Sequence, residues 1–411
     1  MTTPPRFELI DPDVLVEEET LPEYRPERYY PVTINQLFKN RYRVVVKLGY
    51  GSASTVWLCR DLHSAQDAPS HVALKVYVSS LKVHRELPVY QHLDSLESKH
   101  MGRRNVRKIF EAFEIPGPHG KHMCLVHEAC GVSLFELTNL TPGKVMDVGV
   151  LRQIMRPVLN GLQYLHEEAK IVHTDLQPNN VLMGINDPSI FDSFEQDEVE
   201  CPAPRKEIHG RTIYMSRRMQ ITSGFPKISD LSEARFIDAI VDSDLVMPDV
   251  HRAPENILGM SWGPAIDIWA LAMMLWDLLE RYRFLSPYDE EGDYCDQHHL
   301  AQLIAILGPP PLDFLERSEY SWKYFNRDGT WKGDVPIPPD MSLEAAEKRL
   351  EGPEKRQFLA LMRKILKWRP EDRPSIKEIF FDEWLCADLI ESGVVQQRDG
   401  ECVVLAPAFT V

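Results

Sequence analysis

No two cysteines of this 411-residue chain form a C-x-x-C pair, and the seven present (59, 124, 130, 201, 295, 386 and 402) cannot all pair internally. That speaks against a disulfide framework or a zinc site and for a reducing compartment. Long apolar runs are missing as well. The most apolar stretch, Ile266 to Leu279, contains Asp267 and Asp277 and is shorter than the ~20 residues a bilayer crossing needs. The opening M-T-T-P-P-R-F-E-L-I-D-P-D has no apolar signal core and is too acidic for a transit peptide. A cytoplasmic or nuclear location, away from any membrane, is the expectation. Basic residues are also in short supply: 46 Lys and Arg against 62 Asp and Glu leave a formal net charge of -16. No direct nucleic-acid binding is therefore expected, whereas basic partners would be attracted.

What remains is ordinary for a soluble globular protein, with 44% hydrophobic and 26% charged residues and enough length for two or three domains. Residues 1–33 are rich in proline and acid, including Glu17-Glu18-Glu19, and are expected to be an extended or disordered lead-in. Arg43 to Leu48 (R-V-V-V-K-L) reads as a strand, followed by G-Y-G-S-A-S-T-V from Gly49 to Val56 and a returning strand through Trp57-Leu58-Cys59. A glycine turn between two strands can let backbone lie close to a ligand, though a plain hairpin turn has the same pattern. The next strand, V-A-L-K-V-Y, buries Lys75, a position where a charge needs partners. Glu86, opening the helical pattern Glu86 to Leu96, can be one; a lysine on a sheet edge is the plainer alternative. Strands at 110–114 and 121–126, a connector at Glu128 to Gly131 and a helical stretch from Val150 to Glu168 follow.

Ile171 to Leu182 reads I-V-H-T-D-L-Q-P-N-N-V-L, placing a carboxylate at Asp175 and an amide five residues on at Asn180. Such a pair suits proton acceptance from an attacking hydroxyl and metal binding on a phosphate, while a turn capped by Asp and Asn is the structural alternative. Met183 to Lys227 breaks the periodicity, acidic in its first half and basic in its second, and is expected to be a mobile insertion. Then come K-I-S-D-L-S with Asp230, H-R-A-P-E ending at Glu255, a helix apolar nearly all round at Ala265 to Glu280, an acidic run from Asp289 to Asp296, and further helices at about 299–307, 343–349 and 354–367.

Glycine turn, strand lysine, helix glutamate, H-x-D with Asn180, the aspartate at a strand end, A-P-E and a late arginine stand in the order of eukaryotic protein kinases. Over about residues 31–386 the chain resembles the SR protein kinase family of the CMGC group. The segment Pro31 to Leu58, the serine at the third glycine position (Ser54), H-T-D in place of H-R-D, the long insertion and H-L-A-Q-L-I-A-I-L-G-P-P-P at 299–311 carry that resemblance. It implies a bilobal α+β fold, with a small β-rich lobe at 34–128, a large helical lobe at 131–386, an insertion at about 184–227 and a tail at 387–411. It also implies a monomeric serine/threonine kinase using ATP and Mg2+ on a protein substrate rich in Arg and Ser. By the same resemblance Asp175 would be the catalytic base, and Asn180 and Asp230 would bind the metal. Lys75 would contact the α- and β-phosphates and pair with Glu86. Leu48, Gly49 and Gly51 would border the nucleotide. Val56, Ala73 and Leu182 would sandwich adenine, with backbone of Glu128 and Cys130 hydrogen-bonding it. Glu255 would pair with Arg373, and Asp267 would hold the catalytic-loop backbone.

Two positions depart from the kinase pattern. Gln177 stands where a lysine is expected; it can still donate a hydrogen bond to the γ-phosphate, but a catalytic charge is missing, worth roughly 4 kcal/mol at ~4 Å and an effective dielectric of about 20. Asp230-Leu231-Ser232 replaces D-F-G, and serine stiffens a backbone that has to flex. A pseudokinase or very slow kinase acting as a nucleotide-binding scaffold is accordingly the second reading. A small-molecule kinase is a distant third, because A-P-E and the Glu255–Arg373 pair shape a platform for protein substrates.

Overall fold

The computed structural model describes residues 7–65, 69–79, 84–240, 244–398 and 401–404. The chain divides into two compact units, the first formed by Met1–Tyr90, Arg107–Val132 and Leu182–Phe225, the second by Gln91–Val106, Ser133–Val181 and Pro226–Val411.

The first unit is built on an antiparallel sheet of β1 (Leu37–Phe38), β2 (Tyr42–Tyr50), β3 (Ser54–Asp61), β4 (His71–Tyr77), β5 (Ile109–Gly117) and β6 (Gly120–Glu128), in the order β1-β2-β3-β4-β6-β5. Successive side chains of a strand point to opposite faces. Every residue of β4 is buried, so both faces of the sheet must be covered there. On one face Val44, Trp57, Cys59, Val72, Leu74, Val76, Cys124 and Val126 form a core closed by Val32 from the lead-in and Tyr214 from the insertion. The Trp57 and Tyr214 rings meet edge to face at 5.7 Å. The opposite face carries Val56, Lys75 and Leu125 side by side in the register Val56↔Lys75↔Leu125, with Ala73 two residues along β4.

The lead-in differs from the expectation of disorder. Its described part, from Phe7 on, forms single 3-10 turns at Glu17–Thr20 and Pro26–Arg28. Its acids are buried: Lys47 pairs with Glu17 at 3.2 Å and with Glu18, and Lys206 pairs with Glu19 at 2.9 Å. The insertion is ordered too. It contains a helix, Ser189–Glu200, and a hairpin of Arg205–Ile208 with Arg211–Tyr214. The hairpin turns at His209 and Gly210, both with positive φ (49° and 76°), as a two-residue turn of the right hand requires. Its split charge pattern follows from docking. Glu195 takes Arg43 and Arg60 at 2.7 Å each and His71 at 3.2 Å, while Glu198 takes Arg217 at 2.7 Å. Acids and bases that looked like a solvated loop neutralise one another and the basic side chains near the ends of β2, β3 and β4.

The second unit is helical. Val148–Gln163 begins on an Asp147 cap, and Ala265–Leu279 is buried all round except at Ala265 and Asp277. Trp276 packs on Phe284 and Phe358, and Phe358 on Trp384. Helices at Asp296–Leu307 and Gly352–Ile365 complete the core. The expected tail from 387 opens with the helix Ala387–Glu391, which Arg156 holds through Asp388, and continues as paired strands Val395–Arg398 and Glu401–Val404; residues 399–400 and 405–411 lie outside the described ones. No helix among the described residues is long and apolar enough to cross a membrane.

Candidate active site

In the first unit, β2 turns into β3 through Gly51, Ser52 and Ala53, closed by Gly51 N–H donating to the Ser54 carbonyl at 2.8 Å. Leu48 and Gly49 lie at the end of β2, with Gly49 opposite Val56. A Cβ built on Gly49 or Gly51 would meet nothing within 4 Å, and neither has a positive φ. Packing and backbone conformation therefore place no demand for glycine at either position.

Lys75 is 7% exposed in the middle of β4, and its ammonium donates to Glu86 Oε2 at 2.8 Å. Glu86, 2% exposed, also accepts from the Tyr77 hydroxyl and has His127 Nε2 at 3.7 Å from its other oxygen. The Lys75 ammonium lies 5.1 Å from the Tyr77 ring centroid. Tyr77 was not foreseen as a partner, yet its place two residues after Lys75 on the same strand puts both on one face. At the end of β6 the Glu128 carbonyl accepts from Arg107 Nε at 2.9 Å and from the Cys130 thiol at 3.7 Å. The connector is fixed by Gly131 N–H to Met183 O (2.8 Å) and Met183 N–H to Val132 O (2.9 Å), beside half-buried Leu182.

In the second unit, Ile171–Val172 pairs with Arg235–Phe236 and leads into the stretch from His173 to Asn180. Asp267, fully buried, collects the N–H groups of His173 (2.7 Å) and Thr174 (2.9 Å) and the His166 ring (2.8 Å). Burial opposes its ionisation, but the bond from the His166 ring and the N–H donated by His173 outweigh it and hold the carboxyl below its usual range. These bonds keep Thr174, a β-branched residue, at a φ of 67°, where its hydroxyl donates to the Glu233 carbonyl at 2.6 Å. Such a conformation is strained and persists only because its surroundings fix it. Asp175 N–H donates to His173 Nδ1, so the ring proton sits on Nε2 and donates to Ser229 O at 3.0 Å. Ser229 in turn donates both N–H and hydroxyl to the Asn180 carbonyl. The stretch bearing Asp175 and the strand end bearing Asp230 are thus stitched together by one histidine and one serine.

Asp175 receives N–H donors on both oxygens, from Gln177 Nε2 at 2.7 Å and from Asn180 Nδ2 at 2.6 Å. Burial first, and the Asp230 charge after it, push the Asp175 carboxyl up, against the opposing pull of His173, Asn180 and Gln177. With its nitrogen on Asp175, the Asn180 amide turns its oxygen to the other side. Asp230 occupies a left-handed turn (φ 56°) and accepts from Ser232 N–H at 3.4 Å. Glu255 and Arg373 form a double hydrogen bond at 2.6 Å each, both side chains 1% exposed, with the guanidinium 5.0 Å from the Trp269 ring centroid. Arg252 is buried against the Tyr294 ring at 4.6 Å and tied to Val246 O, Met247 O and Asp249. In the acidic run, Asp296 is spent on the Tyr324 hydroxyl (2.6 Å) and Asp289 on the Asp293 N–H (2.9 Å), whereas Glu290, Glu291 and Asp293 have exposed side chains.

A lysine–glutamate pair on a twisted sheet, and an aspartate–asparagine pair on a loop held by a buried carboxylate, together define a protein kinase. The Protein kinase domain family matches residues 42–385. A crystal structure of a kinase domain superposes with a TM-score of 0.65 over 87% of this chain and 99% of its own, at 21% identity, and so supports the fold. A serine/threonine protein kinase of Aspergillus fumigatus is 40% identical over 396 residues, 94% of this chain and 96% of that protein. The serine/threonine-protein kinase SRPK of Physarum polycephalum is 31% identical over 393 residues, 88% of this chain and 90% of that protein. SRSF protein kinase 3 of Mus musculus is 23% identical, with 90% of each chain covered. The chain belongs to the SR protein kinase family and is a serine/threonine protein kinase, an enzyme of a family that uses ATP with a divalent metal. The scaffold alternative finds no support.

Proposed function

We propose that this kinase transfers the γ-phosphoryl group of Mg2+-bound ATP to serine hydroxyls flanked by arginine. Asp175 carries the chemistry. Its raised pKa makes it a stronger proton acceptor than a free carboxylate, and the two N–H donors aim its remaining lone pairs at an incoming hydroxyl. Lys75, held by Glu86, binds the α- and β-phosphates. The bare Cα atoms of Gly49 and Gly51 leave room for backbone to approach a nucleotide, and Val56, Ala73 and Leu182 offer apolar surface to its base. The Asn180 oxygen and the Asp230 carboxylate are hard oxygen donors of the kind Mg2+ takes together with phosphate oxygens and water. Bound there, the ion would neutralise phosphate charge during transfer. Gln177 supplies no charge of its own and acts on Asp175.

The preference for arginine is supported by the exposed carboxylates of Glu290, Glu291 and Asp293 on a chain of net charge -16. Relatives named SRPK and SRSF protein kinase 3 point the same way. The test is phosphorylation of a peptide library at low and moderate salt, by wild type and by the Glu290→Gln, Glu291→Gln, Asp293→Asn triple variant. Selection of Arg beside Ser, weakened by salt and by the variant, is the expected result, since exposed charges are screened within about 8–10 Å. Selection of acidic flanks, or indifference to both changes, would overturn it.

A further inference from the structure

The hydroxyl of Tyr29 ends on the tip of the glycine turn, donating to the carbonyls of Gly51 at 3.0 Å and Ser52 at 3.2 Å. Nothing in the turn itself would fix its height above the sheet. Besides Tyr29, the tip is tied by Gly51 N–H to Ser54 O and by Val78 N–H to Ala53 O at 2.9 Å. Tyr29 thus reaches the tip from outside the hairpin. It is well placed to hold, because its own position is fixed. The ring is 5% exposed and packs on Tyr24 at 5.3 Å. Its neighbour Arg28 accepts the Ser79 N–H at 2.9 Å, just past the end of β4. Behind it, the turn Pro26–Arg28 is gripped by Arg211 of the insertion hairpin, which donates to Pro26 O at 2.6 Å. Further back, the buried pairs of Glu17 and Glu18 with Lys47 and of Glu19 with Lys206 anchor the whole lead-in. Burial, joined by the Glu18 charge, raises the Tyr29 pKa, so the phenol keeps the proton it donates.

We infer that Tyr29 is a positioning residue for nucleotide handling: its hydroxyl sets how freely the glycine turn lifts, and so how tightly ATP is held and how fast ADP leaves. The lead-in and the insertion hairpin act through it. This rests on reading the turn at Gly49 to Ser54 as the cover of the nucleotide phosphates. In kinases of this fold a glycine-rich loop fills that role.

Tyr29→Phe keeps the ring and removes only the bond to the turn. The matched control is Tyr24→Phe, which takes a hydroxyl from the other ring of the pair, one with no hydrogen-bond partner among the described residues. For Tyr29→Phe, KM for ATP and the dissociation rate of a fluorescent ADP should each rise about two- to tenfold, the range set by one ordinary hydrogen bond. KM for the peptide should stay put, as should every parameter of Tyr24→Phe. Amide hydrogen exchange across residues 49–54 should quicken in Tyr29→Phe alone. Wild-type nucleotide parameters and exchange in Tyr29→Phe, or equal changes in both variants, would overturn the inference. The underlying reading has a separate check: a non-hydrolysable ATP analogue should slow exchange across 49–54 in the wild type. If it does not, the cover reading falls. If it does while Tyr29→Phe behaves as wild type, only the role of Tyr29 falls.

Discussion

Gln177 donates its side-chain amide to Oδ1 of Asp175 at 2.7 Å, so the residue standing where this fold normally keeps a lysine is bound to the carboxylate proposed as the base. A hydrogen bond to the charged form of a carboxyl favours that form and lowers its pKa. Burial and Asp230 win over it here, but the bond still trims the rise.

The acidic limb of the pH profile should follow that balance. Asp175 accepts a proton only while ionised, so kcat/KM falls as pH drops through its raised pKa. Gln177→Ala removes one opposing donor and should move the limb to higher pH; Gln177→Lys adds a cation and should move it lower. Gln177→Lys should also raise kcat more than it changes KM for ATP, because the charge acts on the transition state. Limbs that coincide in all three proteins would show that Asp175 is not the titrating group.

Asp175→Ala should abolish phosphoryl transfer while ATP affinity stays within a few-fold, since the carboxylate serves the acceptor hydroxyl. Turnover in a radiolabelled ATP assay combined with nucleotide titration separates the two. Retained wild-type turnover would remove Asp175 from the mechanism.

Breaking one side of the Glu255–Arg373 pair leaves a charge stranded in the interior. Arg373→Met should cost about 3–5 kcal/mol of stability in denaturant unfolding, and the double variant with Glu255→Gln should recover part of that loss. A single-variant loss under ~1 kcal/mol would mean that the pair is solvated in solution.

Glu195 couples the insertion helix to Arg43, Arg60 and His71. Burial opposes its ionisation, yet the bonds to Arg60 and His71 hold its pKa below the ordinary 4.5. A depressed folded-state pKa contributes stability that is present above the unfolded value and is lost as pH falls through the folded one. Glu195→Gln should therefore be less stable than wild type near neutral pH, by about 1–3 kcal/mol, with the gap closing below pH 4.5. A gap that persists unchanged into acid would assign the loss to packing rather than charge.

Strands β2 to β6, the helix Glu86–Ser95 and the buried helix Ala265–Leu279 were legible in the sequence because β-branched runs and apolar periodicity are local signals. Asp175, Asn180, Lys75 and Glu86 were legible as a set because their order along the chain carries the pattern. Long-range contacts that belong to the family pattern, such as Glu255 with Arg373, were legible through it, and those outside the pattern were not. Nothing near Glu17 announces Lys47, and nothing near Glu195 announces Arg60. Charged segments of this kind look solvated until their partners, more than a hundred residues away in the case of Glu195 and Arg60, are brought beside them. The amide of Gln177 was legible as a hydrogen-bond donor for the γ-phosphate that lacks a charge, whereas its bond to Asp175, two residues back, depends on the local backbone path from Asp175 to Gln177.

The roof over the back of the sheet has a consequence for the order in which the chain can fold as it is made. The last strand of the sheet ends at Glu128, but Tyr214, which closes the apolar face over Trp57, emerges only after the whole catalytic stretch has been synthesised. Until then Trp57, Leu74 and Val126 lie on a surface that Val32 of the lead-in covers without Tyr214. A nascent chain in that state exposes sticky apolar area to its neighbours. The first unit is thus finished late, and the ribosome must pass well into the second before the first can close.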